Sequence, residues 1–476
     1  MTAELRPYPQ CKESGVPWLG RVPVHWDCLP HRAVFEEIKD QGHVNEPLLS
    51  VTISKGVIRQ ADLLANSSKK DSSNLDKSKY KLVEPGDIAY NKMRAWQGAV
   101  GVSRHRGIVS PAYIVVRLRR ADNPDYFHFL FRTPGFAKEA ERWSYGITSD
   151  MWSLRPEHFK LIYSCVPPPS EQDAIVGFLR GFDARVRRFI QNRRRLIELL
   201  QEQKQAIINR AVTRGLNPDV SLKPSGIDWL GDVPELWQKT KLKFVARVQT
   251  GITLGKNYGN QRLEIRPYLR VANVQDGYLA LDDIAEIAIP QSEIVGNELQ
   301  PGDVLMTEGG DIDKLGRGYI WNGEIPGCLH QNHIFAVRTN RRQLLPQYLS
   351  MLMTSQHGRN YFWKTAKKTT NLASTNATTL GAFLIFIPDL QEQESILRYV
   401  EKESRNLQDA IYRCEREIDL VREYRKRLVA DVVTGKVDVR HISVEDISEG
   451  ETFEEFMESD EIEEPSDIEE AHNADN

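Results

Sequence analysis

The chain has 476 residues, 40% hydrophobic and 27% charged, the composition of an ordinary globular protein with room for two to four domains. Its longest apolar run, 380–387, is too short to cross a bilayer, and residues 1–10 lack a charged-then-apolar export signal. Five cysteines (Cys11, Cys28, Cys165, Cys328 and Cys414) are an odd number with no closely spaced pair, which argues against a disulfide framework or a cysteine metal site and favours a reducing cytoplasm.

The net charge of −3 hides an asymmetry: 443–476 holds 15 Asp/Glu and no Lys/Arg, leaving 63 basic against 51 acidic residues before it, about +12. A basic body suits a phosphate-binding surface, because protein cations release counterions from a duplex. It equally suits a solvated surface with no partner.

In chain order, the first signal is Ser14-Gly15-Val16-Pro17-Trp18-Leu19-Gly20, with Pro23 and Trp26 after it. Pro85-Gly86-Asp87 reads as a turn, Tyr113–Leu118 as a strand, and Pro124–Trp143 as a helix with proline at its start. A strand over Leu161–Val166 runs into Pro167-Pro168-Pro169. There Ser170, with Asp173 three residues on, is suited to cap a long helix. Its seam is Ile175, Leu179, Phe182, Val186, Phe189, Arg193, Leu196, Leu200, Gln203, Ile207, and it stops at Ala211-Val212-Thr213-Arg214-Gly215.

The same order then returns. Ser225-Gly226-Ile227-Asp228-Trp229-Leu230-Gly231 precedes Pro234 and Trp237; Pro301-Gly302-Asp303 repeats the turn; His333–Val337 repeats the strand; Pro346–Trp363 repeats the helix. A strand over Phe383–Ile387 meets Pro388, and Asp389 with Glu392 offers the second cap. The second seam is Ile396, Val400, Glu403, Leu407, Ala410, Cys414, Glu417, Val421, Tyr424, Leu428, widened by Ile411 and Ile418, before Val432-Val433-Thr434-Gly435. Two copies of one unit of roughly 220 residues thus account for nearly everything before the tail. Helices of about 44 residues would be roughly 65 Å long. Neither buries its seam alone, so antiparallel pairing between the copies is expected, with a homodimeric coiled coil as the alternative.

These motifs, in this order and twice over, resemble the specificity subunits of type I restriction–modification systems. The likeness rests on the Ser-Gly-x-x-Trp-Leu-Gly openings, the Pro-Gly-Asp turns, the Glu-Gln pairs Glu171-Gln172 and Glu392-Gln393, and the two helix ends. It covers about residues 12–440. The resemblance implies an α+β (mixed α/β) chain with two globular target-recognition domains separated by two long antiparallel coiled-coil helices, in a pseudo-two-fold duplication. The divisions are recognition domain 1 over 1–168, a central helix over 169–216, recognition domain 2 over 217–388, a C-terminal helix over 389–440, and an acidic tail from 441, read as disordered. The implied function is recognition of a bipartite double-stranded DNA target, one half-site per domain, with docking of two methyltransferase subunits and, through them, restriction subunits. The chain itself is non-catalytic on this reading. S-adenosylmethionine, ATP and Mg would belong to partner subunits, whose assembly would be an N6-adenine methyltransferase and ATP-dependent endonuclease.

Candidate DNA contacts follow from residue chemistry: Arg and Lys suit guanine edges, Asn and Gln suit adenine edges, and any cation can hold a phosphate. In the first domain these are Asn91, Lys92, Arg94, Trp96 and Gln97, then Arg104, His105 and Arg106, then Tyr145, Thr148 and Ser149. In the second they are Lys256 and Arg262, Lys314 and Arg317, Gln331 and Asn332, and a loop over 364–379 with Lys364, Lys367, Lys368, Asn371, Ser374 and Asn376. For any one of these a surface or structural role competes with DNA contact. Trp18, Trp26, Trp229 and Trp237 are expected in packing. The arginines at 185, 187, 188 and 193–195 suit a partner-facing helix side or the phosphates between half-sites. No Walker loop, Asn/Asp-Pro-Pro-aromatic tetrapeptide, His-Glu-x-x-His or glycine-rich dinucleotide turn is found. A recognition subunit of another anti-phage modification complex and a coiled-coil adaptor with no DNA role remain the competing readings.

Overall fold

The computed structural model describes residues 5–65, 76–146, 152–275, 277–310, 315–316, 318–368 and 373–442. The acidic segment 443–476 lies outside the described residues. The chain divides into two compact units, Met1–Arg193 with Glu415–Asn476, and Arg194–Cys414. The boundary falls inside both long helices, Pro169–Arg214 and Leu390–Val433.

In the first unit a four-stranded antiparallel sheet runs Phe35–Ile38, Tyr113–Leu118, Ile88–Asn91, Val100–Val102, with Val115 facing both Ile38 and Ala89. β-Branched and aromatic residues fill the central strand, as a sheet covered on both faces requires. The core beneath is aromatic: Trp26, Tyr126, Phe127, Phe131, Phe136 and Phe159 are all at most 2% exposed. Leu179 and Ile175 of the first long helix and Leu428, Val432 and Val433 of the second close that core.

The second unit has the same frame. Its four-stranded sheet runs Ala246–Thr250, Ile334–Thr339, Val304–Thr307, Gly318–Ile320. Trp237, Tyr348, Phe362 and Phe383 fill its core, joined by Ala211, Val212, Ile396 and Val400 of the long helices. The surroundings differ. The first unit adds two-stranded pairs, Leu49–Thr52 with Gly56–Arg59 and Lys81–Val83 with Gly107–Val109. The second adds a three-stranded sheet, Ala285–Pro290, Leu263–Leu269, Leu329–His330.

The shared motifs do the same work in each unit. Ser14 Oγ accepts from the Val16 N–H at 3.0 Å, and Ser225 Oγ from Ile227 at 3.0 Å. Gly20 and Gly231 sit at φ +64° and +69°, where a side chain is strained. Lys12 and Lys223 donate to the carbonyls of Trp26 and Trp237 at 2.7 and 3.0 Å. Asp87 caps its turn by accepting from the Glu84 N–H at 2.9 Å and pairs with Arg117; Asp303 accepts from Gln300 at 2.8 Å and pairs with Arg338. Trp26 Nε1 donates to Glu171 at 3.0 Å, and Trp237 Nε1 to Glu392 at 3.1 Å.

Gln172 and Gln393 tie each long helix to its unit. The Gln172 amide accepts from Asn123 N and donates to Pro167 O and Asp122 Oδ1 at 2.7–2.8 Å. Gln393 accepts from Leu345 N and donates to Pro388 O and Gln343 O at 2.8–2.9 Å.

Within each unit the two helices run antiparallel. Asp183 takes both Arg425 nitrogens at 2.7 and 2.6 Å, and Arg193 meets Glu417 at 2.7 Å, so one number rises as the other falls. In the second unit Lys204 donates to Gln408 at 2.8 Å. Ile175, Leu179, Val186, Ile396, Val400, Ile411, Ile418 and Leu428 are buried, and Phe182, Phe189, Leu200, Ile207, Leu407 and Val421 are half-buried.

Several expectations are corrected. Leu196 is 37% exposed, and Ile197 takes the inward place, while Ser404 is buried where Glu403 was expected. A helix has 3.6 residues per turn, so a strict seven-residue stripe drifts off the contact. Pro124–Trp143 is two helices, Pro124–Phe131 and Pro134–Arg142, because Pro134 cannot continue the first and Thr133 caps the second. Pro346–Trp363 likewise divides at Ser355, which caps Gln356–Thr365. The first long helix starts one residue before Ser170, with Pro169 at its first position; Asp389 does cap the second, accepting from the Glu392 N–H at 2.8 Å. Both helices end on left-handed glycines, Gly215 at φ +72° and Gly435 at φ +75°.

The cysteines are also corrected. Cys28 and Cys165 form a disulfide, because strands Asp27–Pro30 and Tyr163–Val166 pair antiparallel with these residues opposite each other. In the second unit that register place is taken by Lys239 opposite Phe386, with the ammonium 5.7 Å from the ring centroid.

Candidate nucleic-acid interface

In the first unit the sheet delivers the expected hairpin. Strand Ile88–Asn91 ends on Asn91, which is buried and spends its Oδ1 on the Met93 N–H at 3.0 Å. The chain then turns through Ala95–Gln97 and closes on Gly98 at φ +101°. Arg94 donates to Gln97 at 3.0 Å, and Trp96 Nε1 to the Met93 carbonyl at 2.9 Å, with Trp152 edge-on at 5.4 Å.

The next cations are engaged as well. Arg104 and Arg180 share Asp125, and burial, with the Arg180 charge adding, pushes the Arg104 guanidinium down to about 10. Arg106 is held by Glu46 at 2.8 Å and by Glu84. Ser103 Oγ accepts from the His105 N–H at 3.2 Å and donates to the His105 carbonyl at 2.7 Å. Thr148 and Ser149 lie outside the described residues.

Among the described residues a cleft of about 480 Å³ opens between the hairpin and the residues Tyr145, Gly146, Ser153, Arg155, Pro156 and Glu157. Its lining includes Lys92 and Tyr145, both expected, and Arg155 and Glu157, which sequence reasoning missed. The two walls are joined by backbone: Leu154 N donates to the Lys92 carbonyl at 2.8 Å, and Tyr145 and Ser153 bridge each other at 3.2 and 3.4 Å. Tyr145 is 58% exposed and lies 5.0 Å from the His158 ring. The available signal was the run Arg155-Pro156-Glu157, two opposite charges a few residues after the candidate Ser149.

In the second unit the expected loop over 364–379 is a structured element. Helix Gln356–Thr365 leads into Lys367–Lys368, which pairs with Ala373–Ser374, and Asn376 caps helix Ala377–Gly381 by accepting from Thr379 N at 2.8 Å. Lys364 sits 4.9 Å over the Trp229 ring and Lys368 4.1 Å over the Trp363 ring, and Lys364, Lys367 and Lys368 are exposed. Two of the three ammoniums, those of Lys364 and Lys368, thus rest over indole faces while remaining exposed, and Lys367 lies exposed between them in sequence.

Elsewhere the candidates are less suited to contact. Lys256 pairs with Glu293 at 3.1 Å, and the Gln331 side chain accepts from Val271 N at 3.3 Å. Asn332 Nδ2 lies 3.4 Å from His333, and Arg262 is exposed. Lys314, Arg317 and Asn371 lie outside the described residues. On the long helices Arg193 pairs with Glu417 and Arg195 with Glu198 at 2.8 Å. Among the described residues no group of three or more His, Cys, Asp or Glu is placed to hold a metal, and no helix is long and apolar enough to cross a membrane.

No family model matches the chain. Among curated proteins, it is 24% identical over 207 residues to a putative type I restriction enzyme MjaX specificity subunit of Methanocaldococcus jannaschii, covering 43% of this chain and 47% of that one. It is 24% identical over 258 residues to the type I restriction enzyme EcoKI specificity subunit of Escherichia coli, covering 52% of each. Its relatives are specificity subunits of type I restriction enzymes. The chain spans about half the length of these first two relatives. A solved chain from the complex assembly of a type I restriction–modification system shares the fold, with TM-score 0.60 and 15% identity over 87% of this chain and 98% of that one. The mixed helix-and-sheet architecture with a long helix is therefore shared with that solved chain.

Proposed function

We propose that this chain is the DNA-sequence-specificity subunit of a type I restriction–modification complex. Each unit would read one half of a split duplex target. The paired helices would fix the spacing between halves and carry two methyltransferase subunits and, through them, restriction subunits. The chain itself would do no chemistry, and S-adenosylmethionine, ATP and Mg would be held by its partners. Its setting would be the cytoplasm. Recognition domains over 1–168 and 217–388, helices over 169–216 and 389–440, and a pseudo-two-fold duplication are part of the proposal.

The observation that carries it is a repeated frame with unlike additions. The Asp87–Arg117 and Asp303–Arg338 pairs, the Glu171 and Glu392 bonds to tryptophan, and the Gln172 and Gln393 ties recur in both units. The strands added to each frame do not. One scaffold used twice with different surfaces suits two readers of different half-sites. Exposed cations at Lys364, Lys367 and Lys368 suit phosphate.

The test is single-molecule methylation sequencing of DNA from cells carrying this chain with its methyltransferase, and without it. A split, asymmetric N6-methyladenine motif that depends on this chain is the expected result. An active methyltransferase with no chain-dependent motif refutes the proposal.

A further inference from the structure

The candidates of the first unit divide into engaged and unengaged side chains, and the division points to one place. Arg94, Arg104 and Arg106 are each bonded within the unit, and Asn91 is buried. The cleft behind the hairpin is different. Its charged lining residues are Lys92, Arg155 and Glu157, and none of the three makes an ion pair or side-chain hydrogen bond among the described residues. Arg155 and Glu157 are exposed and Lys92 half-exposed, so water can solvate all three charges in the free protein. Opposite charges two residues apart on one wall, with no ion pair among the described residues, are arranged to meet an outside partner that offers both acceptors and a donor.

Their backbone is fixed. Arg155 and Glu157 flank Pro156 at the start of the short helix Pro156–Phe159, whose Phe159 is 2% exposed in the core. Lys92 follows a buried strand end, and its carbonyl is tied to Leu154 N. Rigid placement of this kind suits direct readout, where a side chain must meet a base edge rather than follow a flexible phosphate. In the major groove a guanine presents two acceptors, N7 and O6, and its cytosine presents the N4 amino donor.

Resting on the specificity role proposed above, we infer that this cleft reads a G·C pair of the half-site recognised by the first unit. Arg155 donates to the guanine edge, Glu157 accepts from the cytosine amino group, and Lys92 donates to the neighbouring base or guanine edge. The chemical class of the ligand is the major-groove edge of duplex DNA.

The test uses the full chain with its methyltransferase and the sequencing readout already described, on Arg155→Ala, Glu157→Ala and Arg155→Lys. Each alanine variant should relax the requirement at one position of one half-site, discrimination there falling roughly 10- to 100-fold, the range for a lost base-edge contact. The other half-site should stay intact. Arg155→Lys keeps the charge but loses the two-pronged fork, so it should relax the same guanine position while methylation elsewhere persists. An unchanged motif in all three variants overturns the inference, and so does a uniform loss of methylation at every position, which marks a phosphate or folding role. Thermal unfolding within about 2 °C of wild type separates folding loss from the rest, and Arg155→Lys carries the test if an alanine variant unfolds. A wild-type chain that directs no split motif refutes the specificity role itself, a distinct failure.

Discussion

The Gln172 amide is a single group on which the start of the first long helix depends. Gln172 is fully buried, accepts one hydrogen bond and donates two, to the Pro167 carbonyl and Asp122 Oδ1, all at 2.7–2.8 Å. Gln172→Ala removes all three and leaves Asn123 N–H, Pro167 C=O and a buried carboxylate oxygen without their partner. At about 1 kcal/mol for each bond, the loss is about 3 kcal/mol, and somewhat more where water cannot replace the amide. For a unit of this size that lowers Tm by roughly 6–12 °C. The measurement is thermal unfolding by circular dichroism, with peptide-resolved hydrogen exchange to locate the loss. Exchange should accelerate in Tyr113–Phe131 and at the start of the helix, where Asn123 also caps Pro124–Phe131. A change below about 1 kcal/mol, or acceleration spread evenly over the chain, refutes the reasoning.

The remaining predictions are brief. His31 is buried among Phe35, Phe131, Phe136 and Phe159, and burial lowers it to about 3. A depressed histidine favours the fold while neutral, so its contribution is complete above the unfolded value near 6.5 and declines as pH falls toward 3. Urea titrations of His31→Phe between pH 6.5 and 4 should show a stability slope shallower by about one proton, roughly 1.4 kcal/mol per pH unit, than wild type. An unchanged slope removes His31 from the acid sensitivity. Alkylation of the denatured, unreduced protein should label three thiols, at Cys11, Cys328 and Cys414, and five after reduction; five labels before reduction refute the Cys28–Cys165 bond. If the second unit holds phosphate as proposed, Lys364→Gln, Lys367→Gln and Lys368→Gln together should reduce the slope of log K against log salt by about 2–3, since each phosphate contact adds about 0.9. Equal slopes would move the contact elsewhere. Exchanging residues 1–165 for those of a homologue should change one half of the methylated site; change in both halves would overturn the proposed division.

The amino-acid sequence by itself determined the parts of this protein that depend on short-range chemistry. Gly215 and Gly435 end the long helices because only glycine takes a left-handed φ without strain, and Asp389 caps because its oxygen reaches an N–H three residues on. The turn role of Pro85-Gly86-Asp87 and the packing role of Trp26 and Trp237 were legible for the same reason, as residue type and spacing recur in both units. What tertiary structure alone decided is which distant side chains meet. Strand register, not spacing, sets Cys28 opposite Cys165 across 137 residues and Lys239 opposite Phe386. It also brings Arg117 and Arg338 to the aspartates of the two turns. The candidate interface shows the difference most plainly. Composition marked Arg94, Arg104 and Arg106 as readily as Lys92, but only the fold shows that the first three are already bonded, while Arg155 and Glu157 line the open cleft beside Lys92. A cation's availability depends on what lies across from it, and that neighbour is set by the packing of segments far apart in the chain.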